Sequence, residues 1–392
     1  MAHTNYIWQL RGWPKLEVQE SALFEAVALA RKEQGKVIGL ATAIGMPEMD
    51  SVVRDIWVDE AMATAAIEGE KLDLPSVRSS VMRRLGIPND TRASASRSVD
   101  GLLDVMQDAI TSHRQTLDDD RLFRWQAALF PAGTSGIHRI AVGKYRESTE
   151  PMQIVSGPIE RPTVHYEAPP SKDVSKEMRR FLQWFAKTNP RSDSKAKIDG
   201  VVRAALAHLW FETIHPFEDG NGRVGRAIVD MALAQDTGTP RRLYSMAGQL
   251  MKERDAYYRH LHDAELGTLD VTSWVAWFLA QFRFACIASQ NVISGAIEKN
   301  RFWAAHAATA INDRQRKVLL FLLEAGSGGF RGGMSASKYV SATRTSKTTA
   351  TRDLAELEKE GLVVATGQGR ATRYWVNVPG WKIGDSAASI AG

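Results

Sequence analysis

Apolar residues recur three and four positions apart along most of the chain, which is the spacing of one buried face of an α-helix. The clearest examples are the stretches 50–67, 197–214 and 223–235. A further helix is predicted to run from Glu17 to its end at Gly35. The pattern therefore predicts a mainly α-helical protein.

One region, 151–170, interrupts this helical pattern. The sequences MQIVS and PTVHYE are typical of two short strands, and the pair Gly157 and Pro158 separates them. Two further prolines, Pro169 and Pro170, close the segment. We therefore predict a β-hairpin inserted between helices.

The elements become shorter after residue 305. Helices are predicted at 313–324, near 335–341 and at 346–360, followed by two strands around a Gly-Gln-Gly turn. Three helices followed by a hairpin are typical of a winged helix-turn-helix domain. The predicted divisions are an N-terminal helical segment (1–49), a helical core (50–300), a winged helix (305–380) and a flexible tail (381–392).

The composition is that of a soluble globular protein, with 44% hydrophobic and 24% charged residues among 392. No segment approaches the roughly 18 uninterrupted apolar residues of a membrane helix, and the N-terminus lacks the apolar core of a signal peptide. The single cysteine, Cys286, excludes internal disulfides and cysteine-rich metal sites. We therefore expect a cytoplasmic protein with no membrane partner.

The segment 215–226, HPFEDGNGRVGR, lies between two predicted helices and carries the densest chemistry of the chain. Gly220 and Gly222 let backbone N–H groups approach an anion, and the next helix presents its positive N-terminal end there. Arg223 and Arg226 are three positions apart in the first turn of that helix, where cations oppose the helix dipole. Two arginines at this end indicate a bound polyanion.

Two further side chains of the motif fit phosphate chemistry. The carboxylate of Asp219 can hold a magnesium ion on phosphates, and His215 can act as a general base toward an incoming hydroxyl. The spacing Gly220-x-Gly222-x-x-Gly225 also matches a dinucleotide fingerprint, but that motif requires a preceding strand, and here a helix is predicted. A purely structural glycine turn stays open, although it does not explain the histidine, the aspartate or the arginines.

The motif resembles, at every specified position, the HxFx[D/E]GNGRxxR signature of the Fic (filamentation induced by cAMP) family. Members of that family mostly transfer AMP from ATP to Ser, Thr or Tyr of a protein. The resemblance implies a Fic-type helical core, ATP as substrate, Mg²⁺ as cofactor, His215 as the base and Asp219 as the metal ligand. The ATP-binding residues that it implies are Glu68, Ile154, Val155, Ser156, Gly157, Gly220, Asn221, Gly222, Arg223, Val224, Gly225, Arg226, Tyr257 and Tyr258.

Two of these groups lie outside the motif. The run 153–157 resembles the nucleotide side of the family's β-hairpin flap, which holds a target segment by main-chain pairing. Tyr257 and Tyr258 resemble the tyrosines that the family places near the adenine. Half-buried packing on a helix accounts for a tyrosine pair equally well.

The segment 64–69, TAAIEG, resembles the family's [S/T]xxxE[G/N] inhibitory motif, within a predicted inhibitory helix near 52–69. Thr64 and Glu68 are four apart and share a helix face, and Gly69 suits a helix C-terminus. We expect the carboxylate of Glu68 to pair bidentately with Arg226, the guanidinium that would otherwise hold the γ-phosphate. A solvated acid at a helix end is the simpler alternative.

Together these features predict a protein adenylyltransferase that modifies Ser, Thr or Tyr hydroxyls, releases pyrophosphate and is inhibited by its own Glu68. Transfer of another nucleotide, or removal of AMP by the same site, is the first alternative. A nucleotide-sensing transcriptional regulator is the second. The expected partner is a target protein docked on the flap.

The predicted winged helix could bind DNA, a second copy of the chain or the target protein. Between Arg344 and Arg373, six basic residues stand against four acidic ones, so the support for duplex DNA as a partner is thin. Formation of a homodimer or docking of the target uses such a domain equally well.

Overall fold

The computed structural model describes residues 6–44, 46–87, 96–156, 163–190 and 198–384. It divides into two compact units, Met1–Gln290 and Asn291–Gly392. Helices dominate, which confirms the predicted class. The predicted boundaries at 49, 300 and 380 stay predictions.

Eleven α-helices, a short 3-10 helix (Ile7–Gln9) and four short strands are described up to residue 305. The helices are α1 (Glu20–Ala43), α2 (Met46–Ile67), α3 (Leu74–Arg84), α4 (Arg97–Thr111), α5 (Asp119–Leu129), α6 (Ser171–Lys187), α7 (Gly200–Ile214), α8 (Asn221–Thr237), α9 (Met246–Lys252), α10 (Arg254–Glu265) and α11 (Thr272–Ala305). The strands are β1 (Thr134–Ser135), β2 (His138–Arg139), β3 (Gln153–Ser156) and β4 (Thr163–Glu167).

Helix α7 is the centre of the first unit, because all of its residues are buried. Asp199 caps its start by accepting hydrogen bonds from the backbone N–H groups of Val201 and Val202. Helix α8 packs closely against α7 where it carries Gly225: a β-carbon at that position would lie 2.3 Å from Oε1 of Glu212. The glycine therefore sets the approach of the two helices that flank the motif.

The hairpin predicted at 151–170 is present as the antiparallel pair β3–β4, with Gln153 opposite Glu167 and Ser156 opposite Thr163. Its predicted turn, including Gly157, lies outside the described residues. The second hairpin, β1–β2, was not predicted, because two-residue strands show no hydrophobic periodicity.

The N-terminal segment packs on this hairpin and on the central helices. Trp8 donates from Nε1 to the carbonyl of Glu167 at 2.8 Å, and the ring of Tyr6 meets Tyr166 edge-on. Helix α1 continues past Gly35, so the predicted end there was wrong. A single glycine costs a helix only about 1 kcal/mol, and burial of Val37 favours continuation.

The second unit contains the helices α12 (Asp313–Glu324), α13 (Ala336–Thr343) and α14 (Lys347–Lys359), then the strands β5 (Val363–Thr366) and β6 (Arg373–Val376). The strands pair antiparallel. Leucines of α12 and α14 form its core with Tyr339. This is the predicted order of elements, and assignment to the winged helix-turn-helix fold stays a prediction.

Among the described residues, no helix is both long enough and apolar enough to cross a membrane.

Candidate active site

The loop between α7 and α8 is fixed by its own backbone and by one amide side chain. His215 ends α7 in the left-handed conformation, with φ 49°, and Gly220 starts α8 with φ 89°. Asn221 accepts from the N–H of Phe217 and donates to the carbonyl of the same residue, both at 2.8 Å. The amide was expected to position phosphates, but its side chain is occupied in shaping the loop.

Arg146, which the sequence analysis did not single out, holds the loop from outside. Its guanidinium is buried and donates to the carbonyls of His215 at 2.8 Å, Ile214 at 3.3 Å and Pro169. It therefore joins the base of the β3–β4 hairpin to the histidine. No periodicity or motif marks this arginine, so only the folded chain reveals it.

His215 is mostly buried and is neutral at pH 7. Burial, together with the nearby charge of Arg146, lowers its pKa to about 4. Its Nδ1 lies 3.8 Å from Oε2 of Glu212, one turn earlier on α7. A neutral imidazole can accept a proton, as a general base requires.

Asp219 lies in the loop directly before Gly220, the residue that starts α8. Its carboxylate accepts hydrogen bonds from the N–H of Gly220 and from the hydroxyl of Ser135 on β1, and it lies 3.5 Å from the guanidinium of Arg223. No group of three or more His, Cys, Asp or Glu within the described ranges could hold a metal. A lone, partly exposed carboxylate nevertheless fits Mg²⁺, which often takes one protein carboxylate and phosphate oxygens.

The end of α2 places the carboxylate of Glu68 over the N-terminus of α8. Its Oε1 lies 2.7 Å from a terminal nitrogen of Arg226, and a β-carbon at Gly222 would lie only 2.4 Å from the same oxygen. Arg226 also donates to the hydroxyl of Thr64 and, at 3.0 Å, to its carbonyl. The expected pairing is present, but Thr64 takes Nε of the arginine, so the expected bidentate fork with Glu68 is not formed.

A second carboxylate, which the sequence analysis missed, reaches the other arginine. Gly69 turns the chain in the left-handed conformation, with φ 79°, after which Glu70 pairs with Arg223 at 2.7 Å. Arg223 also stacks over the ring of Phe130, 4.7 Å from its centre. Both arginines of the motif are therefore paired with acids from the end of α2.

Other predicted ATP contacts face the interior. Val224 is fully buried, and its N–H donates to the carbonyl of Gly220 at 3.0 Å. That N–H is therefore not available to a phosphate. Gly225 contacts Glu212 in the helix interface described above.

The two predicted tyrosines differ in exposure. Tyr257 is 2% exposed and bonds His208 at 2.8 Å, whereas Tyr258 is 40% exposed. Tyr258 is thus the more accessible of the two, and the guanidinium of Arg254 lies over its ring, 5.1 Å from the centre.

The ATP contacts predicted on the β3–β4 hairpin lie in its paired backbone. Ile154 pairs with Tyr166, Val155 with Val164 and Ser156 with Thr163, with an irregularity after Ile154. Gly157 lies outside the described residues.

Comparison with known proteins places the motif in a family. The model of the Fic/DOC family matches residues 116–233, and a domain of unknown function, DUF4172, matches residues 6–87. The second match contains α2 and Glu68, the residue that directly follows it.

The relatives include a protein adenylyltransferase Fic of Nematostella vectensis, 22% identical over 227 residues, which are 57% of this chain and 47% of that protein. A uridine 5'-monophosphate transferase of Xanthomonas campestris pv. campestris is 29% identical over 121 residues, 31% of this chain and 21% of that protein. The chain thus spans less than half the length of either relative.

A solved structure shares the fold: a Fic domain containing signaling protein of Bacteroides thetaiotaomicron superposes with a TM-score of 0.51 at 16% identity, covering 68% of this chain and 97% of that one. The motif, the match over 116–233 and the shared helical fold agree. Residues 116–233 therefore carry a domain of the Fic/DOC family.

Proposed function

We propose that this chain transfers AMP from ATP to a Ser, Thr or Tyr hydroxyl of a target protein and releases pyrophosphate. The observation that carries the proposal is the neutral His215 beside a helix N-terminus that bears Arg223 and Arg226. This arrangement combines a proton acceptor with a site for a polyphosphate.

The proposed reaction is a displacement at the α-phosphorus of ATP. The hydroxyl proton of the target passes to Nε2 of His215, and the hydroxyl oxygen forms a bond to the α-phosphorus. The bond from that phosphorus to the oxygen bridging the α- and β-phosphates breaks, so pyrophosphate leaves. Asp219 would hold Mg²⁺, which neutralises phosphate charge when bound.

We further propose that Glu68 inhibits the reaction. The carboxylate of Glu68 lies over Gly222 and pairs with Arg226, where a phosphate would need the same backbone and guanidinium groups. Two anions cannot share these donors at low cost, because like charges repel strongly in a mostly buried site. Removing Glu68 therefore frees the arginine for the γ-phosphate.

The target is proposed to dock on the flap formed by β3 and β4, adding a strand through main-chain hydrogen bonds. Such docking makes little demand on target sequence. A homodimer and DNA binding by the second unit stay predictions.

The relative named uridine 5'-monophosphate transferase favours one alternative, transfer of a different nucleotide. Removal of AMP from the target by the same site is a related alternative, since Glu68 lies beside the catalytic groups. A nucleotide-sensing regulator without activity would be favoured if catalytic residues of the motif were replaced. His215, Asp219 and both arginines are all present.

The test uses Glu68→Gly in the full-length chain with a cell lysate. We expect protein labelling in excess of the lysate alone from ATP carrying ³²P at the α-phosphate and no such excess from ATP carrying it at the γ-phosphate, because only AMP is transferred and kinases of the lysate supply the γ-label background. Combining Glu68→Gly with His215→Ala should abolish the excess. An excess from the γ-phosphate would instead show phosphoryl transfer, and an excess from α-labelled UTP alone would establish the alternative nucleotide.

A further inference from the structure

Glu212 lies between the base and the motif helix without a role in the chemistry described so far. Its Oε2 is 3.8 Å from Nδ1 of His215, and its Oε1 packs where Gly225 leaves room for it. Within the described part of the chain, neither that Oε1 nor Nδ1 of His215 has a hydrogen-bond partner at normal geometry, although both are buried, and the backbone of Glu212 also acts on the imidazole by raising its pKa. A buried polar atom without a partner calls for an explanation.

We propose that Glu212 is the positioning residue of His215: its carboxyl group holds a proton on Nδ1 and leaves Nε2 free to accept the proton of the target hydroxyl. This inference rests on the proposed function. A base oriented by a third group is a recurring arrangement, because the partner of one ring nitrogen decides the state of the other.

The geometry of the loop supports this role. The carbonyl of His215 is held by Arg146, and the left-handed backbone of His215 turns the residue back over the end of α7. On the other side, Gly225 admits the carboxyl group of Glu212. The distance of 3.8 Å exceeds a hydrogen bond, but catalytic hydrogen bonds are often long before substrate binds and tighten afterwards.

The charge state of Glu212 is compatible with the role. Burial raises its pKa to about 8, so the group is mostly a neutral carboxylic acid at pH 7. A neutral carboxyl still accepts a hydrogen bond through its carbonyl oxygen. It therefore fixes the ring without adding a negative charge to a site that binds phosphates.

The first test reads the histidine tautomer and needs no turnover. The full-length protein is labelled with ¹⁵N-histidine, and the signals of His215 are those lost in His215→Ala. We expect a protonated Nδ1 and a bare Nε2 in the wild type, and a shift toward the Nε2–H form in Glu212→Leu, which removes the carboxyl acceptor at similar volume and keeps the backbone carbonyl of residue 212. Glu177→Leu, at a buried glutamate of α6 that bonds Trp13, should leave the His215 signals unchanged.

The second test measures rates in the Glu68→Gly background. Glu212→Leu should lower kcat on the order of 10- to 100-fold with an unchanged KM for ATP, as removal of an orienting partner does, while Glu212→Gln keeps an oxygen acceptor and loses less. A wild-type His215 protonated on Nε2, or a Glu212→Leu variant with wild-type ring signals, would overturn the proposal. Failure of AMP transfer in every variant would overturn the proposed function and leave the tautomer result standing.

Discussion

At the scale of single residues, the charge of His215 sets the acid limit of the proposed reaction. Burial and Arg146 lower its pKa to about 4, and the base works only when it is unprotonated. The initial rate of Glu68→Gly should therefore stay nearly constant as the pH falls from 7 to 5 and decline around pH 4. The loss of Glu68 strengthens this expectation, because its carboxylate raises the pKa of His215.

Initial rates with α-labelled ATP between pH 4 and pH 8 check this prediction. Far-UV circular dichroism of the same samples controls for unfolding. An acid limb centred near pH 6.5, the ordinary histidine value, would show that the site does not depress the histidine pKa.

The sequence was sufficient to predict that the motif forms a loop between two helices. The roles of His215, Asp219 and the two arginines follow from residue type and spacing and stay predictions. The contacts of Asn221 and Arg146 were not predictable, since each depends on which backbone groups the folded loop brings to the side chain. Such contacts leave no period in the sequence.

At the scale of elements, the end of α2 presents two carboxylates, and Glu70 should contribute a smaller share of the inhibition than Glu68. The side chain of Glu70 is 43% exposed, so its ion pair with Arg223 is partly screened by solvent. Glu70→Gln should raise labelling by up to about fivefold, less than Glu68→Gly, and the double variant should exceed both.

Labelling rates of the three variants at equal concentration check this prediction. Glu25→Gln is the matched control, because Glu25 is an exposed acid on α1. If Glu70→Gln changed the rate in neither background, the contact with Arg223 would play no part in inhibition.

The long helices were predictable as elements because each repeats its apolar face over several turns. The pair β1–β2 was not, although β1 supplies Ser135 to Asp219, because two-residue strands are too short for a pattern. The contact of Glu70 was missed for a related reason. It depends on the left-handed turn at Gly69, which directs the next acid away from the helix face that carries Glu68.

At the scale of the whole molecule, the second unit has its own ion pair on a buried aspartate and should respond to acid separately. Burial alone would raise the pKa of Asp353, but hydrogen bonds from Arg314 and Tyr339 outweigh it and hold the pKa below its ordinary value. The stabilisation is therefore complete above the ordinary aspartate pKa and is lost as the pH falls through the lowered value. Asp353→Asn should remove it at neutral pH.

Hydrogen exchange read by mass spectrometry locates the effect. In Asp353→Asn, amides of α12–α14 should exchange faster, while those of α7 and α8 keep wild-type rates. Glu360→Gln, at an exposed acid of the same unit, is the control. Equal acceleration in both units would show that they unfold together.

Helix α2 is itself anchored, since Glu60 accepts hydrogen bonds from the hydroxyl of Ser245 and the N–H of Ala247, each at 2.9 Å. Glu68 is therefore presented to Arg226 at a fixed and high effective concentration, which no dilution of the protein can lower. A nucleotide competes with this carboxylate as with a tethered ligand. Under the proposed inhibition, full relief needs an event that moves the last turn of α2, because a nucleotide below that effective concentration restores only a fraction of the activity.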